Sequence, residues 1–115
     1  IQKAAVAALT GPQDNVKEQC RIYEERNYAL CRGMSSIGWK IPDGQGTMFV
    51  WAPIPENYTS SERFTLDLME KTGMIVTPGS AFGECGEGFI RIAYTCSDDN
   101  LREALRRIDT FCKSL

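Results

Sequence analysis

Apolar residues recur at three- to four-residue steps through much of this chain, and short β-branched and aromatic runs interrupt that rhythm. Residues 1–9 are strong helix formers with no N-cap before them. Residues 1–10 therefore read as the tail of a helix cut from a longer protein, and Gly11-Pro12 stops it. Asp14 is placed to cap a second helix, with Val16, Cys20, Tyr23, Leu30, Met34 and Ile37 facing inward. Asn27 fills the missing slot of that stripe, and Gly38 is a natural stop. Lys17, Glu18, Arg21, Glu24, Glu25 and Arg26 read as its solvated face.

The rhythm then shortens. Residues 47–52 read as a strand, halted by Pro53 and Pro55. Ser60 or Ser61 caps a short helix with Phe64, Leu68 and Met69 inward, and Gly73 closes it. Residues 74–77 predict a second strand, after which Pro78-Gly79 turns the chain. Residues 89–94 predict a third strand. Ser97 or Asp98 caps a last helix whose inward stripe is Leu101, Ala104, Leu105, Ile108, Phe111 and Cys112.

The order α-α-β-α-β-β-α predicts one α+β domain over residues 1–115. It should hold a small three-stranded, mostly antiparallel sheet with helices packed on one face. Alternation along the third strand sends Ile90, Ile92 and Tyr94 one way, and Phe89, Arg91, Ala93 and Thr95 the other. The helices should cover the Ile-Ile-Tyr face, which leaves Arg91 on the open one.

Charge and composition narrow the chemistry. Thirteen basic and fifteen acidic residues give a net charge of −2, with no basic stripe, so no nucleic-acid partner is expected. The apolar runs fall short of a membrane span, so no membrane partner is expected either. Cys20, Cys31, Cys85, Cys96 and Cys112 are odd in number and include no C-x-x-C pair. That argues against a disulfide framework or a metal site, and for reduced thiols in the cytoplasm. Cys20, Cys31 and Cys112 fall on apolar helix stripes, where cysteine acts as a small hydrophobe. The chain has no histidine, hence no histidine base or histidine metal ligand. Lys3, Lys17, Lys40, Lys71 and Lys113 all read as solvated, so none is expected to be catalytic.

The remaining candidate is Arg91. A guanidinium inside an apolar strand needs a partner or water, and its rigid fork suits a carboxylate or phosphate. Glu84 or Glu87 could supply a purely structural partner. Gly79, Gly83, Gly86 and Gly88 do not match the spacing of a phosphate-binding loop, so turn geometry explains them better.

The run Val76-Thr77-Pro78-Gly79-Ser80-Ala81-Phe82-Gly83, followed by Gly88-Phe89-Ile90-Arg91-Ile92-Ala93-Tyr94, resembles the C-terminal signature of class I/II aminotransferases. These are fold-type I enzymes dependent on pyridoxal phosphate. The helix over residues 2–9, the Tyr23-Glu24-Glu25-Arg26-Asn27 segment and the strand within residues 44–55 also resemble family segments, in the same order. The phases resemble the aspartate and LL-diaminopimelate members. The resemblance implies that this region is the small C-terminal domain, with Arg91 binding the substrate α-carboxylate. It implies that amino acid and 2-oxo acid substrates are processed with pyridoxal 5'-phosphate held by the large domain of the same chain, in a homodimer. The catalytic lysine and every cofactor-binding residue would precede Ile1, so this segment alone should be inactive. Three other readings remain open: a free-standing small-molecule-binding module, a protein-interaction domain, and the small domain of a related C–S lyase.

Overall fold

Seven regular elements form where the sequence changes rhythm. The computed structural model describes residues 1–115. The helices are α1 (Gln2–Thr10), α2 (Asp14–Ser36), α3 (Ser61–Thr72) and α4 (Asp98–Cys112). The strands are β1 (Phe49–Pro53), β2 (Thr77–Pro78) and β3 (Phe89–Ala93). Helix ends follow local chemistry. Ser60 Oγ accepts from Arg63 N and Ser97 Oγ accepts from Asn100 N, each satisfying an amide that the first turn leaves free. Gly73 ends α3 in the left-handed region, at φ 70°.

The sheet runs β1-β3-β2, and both pairings are antiparallel. β3 is therefore central. Arg91 faces Trp51 on one side and Thr77 on the other. Val50, Ala52, Ile90, Ile92 and Tyr94 point to one side and are buried. α2 brings Leu30 and Met34 onto them, α3 brings Phe64 and Leu68, and α4 brings Leu101, Ile108 and Phe111. Phe64 stands at the junction, packing edge-on against Trp39 and Tyr58 and tilted against Phe111. Fully burying a side chain of this size is worth about 1.5–3 kcal/mol relative to leaving it exposed. The helices thus close one face of the sheet and leave the other uncovered, as the alternation of β3 implies. No helix is long and apolar enough to cross a membrane.

Several expectations need correction. The strand expected over residues 74–77 is only Thr77–Pro78, and Ile75 is 85% exposed. β2 pairs with β3 only through Thr77 and Pro78, so the residues before them lack a ladder partner. The strand expected over residues 47–52 is shifted to Phe49–Pro53. Thr47 sits at φ 68°, outside strand geometry, and its carbonyl accepts from Tyr94 Oη at 2.9 Å. Asp14 is a first-turn residue of α2 rather than its cap.

Val16 and Cys20, expected inward, are exposed. A helix of 23 residues is about 35 Å long, whereas a five-residue strand spans about 17 Å. The first two turns of α2 therefore run past the sheet, and the helix begins to cover the core at Tyr23, whose ring meets Tyr94 edge-on. Met69 is also outside the core, at 38% exposure. Arg26, expected to be solvated, is mostly covered and donates from Nε to Asp98 at 2.8 Å, tying α2 to the start of α4. α1 buries no residue. With the first two turns of α2 it raises the radius of gyration to 16.4 Å, against about 13 Å for a compact domain of this size.

The loop between β2 and β3 is built by close approach. Two short 3-10 turns, Gly79–Phe82 and Glu84–Gly86, lie back to back. A Cβ on Gly79 would meet the Gly86 carbonyl at 1.9 Å, and one on Gly86 would meet the Gly79 carbonyl at 2.1 Å. Only glycine permits that contact. The loop is also tied to α3. Buried Ser61 accepts at Oγ from Ser80 N at 3.3 Å, and its own amide donates to Glu87 Oε1 at 2.6 Å. Glu87 Oε1 also accepts from Gly88 N at 2.9 Å.

Two outcomes follow. In hydrogen exchange, the amides of α1 should lose protection first, since no packing holds that helix. Protection in α1 equal to that in α4 would contradict this. The second concerns acid. Hydrogen bonds from Gly88 N and then Ser61 N hold the Glu87 carboxyl below its ordinary 4.5. Its contribution is thus present above that value and lost as pH falls through the lowered one. Glu87→Gln should lower the melting temperature at pH 7, and the gap from the parent should shrink in melts taken below pH 4.5. A gap that grows in acid would reverse the assigned sign.

Candidate functional site

Arg91 stands half-buried on the uncovered face of the central strand. Strand alternation puts Phe89 and Ala93 on the same face, and the β1 register adds Phe49 and Trp51. Phe82 reaches the same place from the loop after β2. The guanidinium carbon lies 4.3 Å from the centroid of the Phe49 ring and 4.7 Å from that of Phe82. Both are within cation–π range. Trp51 meets Phe82 edge-on at 5.6 Å and stacks on Phe89 at 5.8 Å. The open face is therefore an aromatic platform carrying one cation.

No acid neutralises that cation. Of the eight arginines, Arg21, Arg26, Arg63, Arg102, Arg106 and Arg107 form carboxylate ion pairs, and Arg32 donates to Tyr28 Oη. Arg91 alone has neither kind of partner. Glu87, one of the two acids that could have paired with it, is engaged by Ser61 N and Gly88 N. Glu84, the other, starts the second 3-10 turn, is exposed and makes no pair with Arg91. Thr65 Oγ1 is the one buried polar side-chain atom without a partner. The donors of Arg91 therefore still reach water. A rigid fork of N–H groups, wet at its edge and flanked by rings, suits a planar oxyanion arriving from the open side.

The open face offers no amine. All five lysines are exposed. Lys3, Lys17 and Lys71 lie on α1, α2 and α3, Lys40 lies in the loop after α2, and Lys113 follows α4. Lys71 Nζ sits over the Phe111 ring, 5.3 Å from its centroid, on the helical side. No group of His, Cys, Asp and Glu residues is placed to hold a metal ion. The glycines at 79 and 86 serve the loop's own close packing rather than a phosphate.

Sequence reasoning singled out Arg91 and its face but not the rings. Phe49 and Trp51 were within reach of it. They share the two-residue phase of β1, and only the register with β3 was missing. Phe82 was not, because its place depends on how the Gly79–Gly86 contact folds the loop.

Comparison with known proteins identifies the family of the chain. The family model for aminotransferase class I and II matches residues 1–108. An LL-diaminopimelate aminotransferase from Halothermothrix orenii is 43% identical over 108 residues, covering 94% of this chain and 28% of that protein. Apo-BacF from Bacillus subtilis superposes with a TM-score of 0.90 at 36% identity, over 96% of this chain and 28% of that one. An aromatic aminotransferase from Pyrococcus horikoshii superposes with a TM-score of 0.92 at 28% identity, over 98% of this chain and 31% of that one. The chain thus spans a little over a quarter of the length of the relatives it matches. By sequence over nearly all its length, and by fold, the chain belongs to the class I and II aminotransferase family.

Proposed function

We propose that this chain forms the substrate-carboxylate-binding side of a pyridoxal-phosphate-dependent aminotransferase, which moves an amino group between an amino acid and a 2-oxo acid. One observation carries the reading: Arg91 is the one arginine without an acidic or hydroxyl partner, and it sits on the open face. Amino and 2-oxo acids share a carboxylate next to the reacting carbon. A bidentate pair with Arg91 would fix the plane of that carboxylate, and with it the orientation of the bonds on the neighbouring carbon.

The residues of this chain do not fit the cofactor. Every lysine is exposed and lies on or after a helix, away from Arg91, and the glycine loop is closed upon itself. Pyridoxal phosphate supplies the electron sink in such enzymes. We assign its binding, and the catalytic lysine, to a large domain of the same protein that docks over the aromatic face. The matched relatives are several times longer than this chain, which supports that assignment. Their names favour an amino donor of the LL-diaminopimelate kind. The aromatic aminotransferase has nearly the same domain fold. Groups outside this domain are therefore assigned the choice of substrate side chain. A cytoplasmic homodimer is proposed for the complete protein, on the family resemblance and on five cysteines that are all free thiols.

In the complete protein, Arg91→Ala should remove one partner of a desolvated charge pair, a loss of about 2–5 kcal/mol. Transamination kcat/KM for carboxylate substrates should fall roughly 30- to 3,000-fold. Arg91→Lys should recover part of it, because a point charge cannot reproduce the fork. Amines without a carboxylate should be nearly unaffected. Equal losses for both substrate types, together with a lowered melting temperature, would instead mark Arg91 as a structural residue.

A further inference from the structure

We propose that Phe49 and Phe82 are positioning residues for Arg91, holding its guanidinium between aromatic rings so that its donor edge stays free for the substrate. The inference rests on the carboxylate-binding reading of Arg91 and adds how the arginine is held. An arginine side chain has several rotatable bonds and carries rotamer entropy that must be lost when it binds. The usual way to hold one is a carboxylate partner, and six arginines of this chain are held so. A carboxylate at Arg91 would occupy the donors that a substrate needs. The rings avoid that conflict. Their centroids lie 4.3 and 4.7 Å from the guanidinium carbon, within cation–π range, and a ring brings no carboxylate to compete for the donors.

The supports come from separate parts of the fold. Phe49 opens β1, two residues before Trp51, the cross-strand partner of Arg91. Phe82 ends the first 3-10 turn, where the Gly79–Gly86 contact sets it. Trp51 braces Phe82 edge-on and is itself stacked on Phe89. Phe82 is 51% exposed and belongs to no buried cluster. Its ring lies outside the core of this chain and against the cation.

The test uses steady-state kinetics of the full-length holoenzyme with one amino acid substrate and one amine lacking a carboxylate. Phe82→Leu keeps an apolar side chain and removes the ring face. It should lower kcat/KM for the amino acid about 2- to 30-fold, the range a single cation–π contact represents. Phe82→Tyr should restore most of it. The amine should be unaffected by either change, and the melting temperature of Phe82→Leu should match the parent. In an Arg91→Ala background, Phe82→Leu should have no further effect on the amino acid. A full loss on Arg91→Ala with none on Phe82→Leu would overturn the positioning role and leave the carboxylate site standing. An undiminished Phe82→Leu effect in the Arg91→Ala background would also overturn it, since the ring would then act without the arginine. If Arg91→Ala itself showed no preference for carboxylate substrates, the site reading would fail, and the positioning role with it.

Discussion

A guanidinium placed on one face of the central strand, close to two rings and no acid, constrains the elements around it. A buried cation is tolerated when it is paired or wet. Arg91 is wet at its edge and covered by aromatic carbon on its flanks. The nearby acids are directed elsewhere. Glu87 closes onto the amides of Ser61 and Gly88, whose hydrogen bonds favour its charged form and hold its pKa down. Were that carboxylate turned toward Arg91, the two charges would satisfy each other and the face would lose its one free cation.

The surrounding architecture in turn places this arginine. The helices cover Ile90 and Ile92, and the two-residue period of β3 then sends Arg91 to the opposite side. β1 supplies Phe49 and Trp51 in register. The Gly79–Gly86 contact folds the loop tightly enough to bring Phe82 over the strand, and Ser61 pins that loop to α3. Packing of the core and presentation of the site are thus two faces of one three-stranded sheet. BacF and an aromatic aminotransferase share this fold closely.

Much of this was legible in the amino-acid order, and the failures have physical causes. Local chemistry narrowed the N-caps to Ser60 or Ser61 and to Ser97 or Asp98, and placed the stop at Gly73 and the faces of β3, because each depends on neighbours a few residues away. The second strand was misplaced because an edge strand is defined by its partner, and only Thr77 and Pro78 have one. The first two turns of α2 kept the apolar rhythm at Val16 and Cys20 but outran the sheet they would have covered. Arg26 read as solvated because Asp98, which holds it, lies 72 residues away. The aromatic setting of Arg91 was hidden for the same reason. It is assembled from β1, β3 and a loop whose path depends on a backbone contact between two glycines.

The most direct measurement is a crystal structure of the complete protein with a substrate 2-oxo acid bound. The account predicts that two N–H groups of Arg91 meet the two carboxylate oxygens at about 2.7–2.9 Å, with the Phe49 and Phe82 rings still flanking the guanidinium. A substrate carboxylate held by another residue, or Arg91 paired with an acid from elsewhere in the protein, would contradict it.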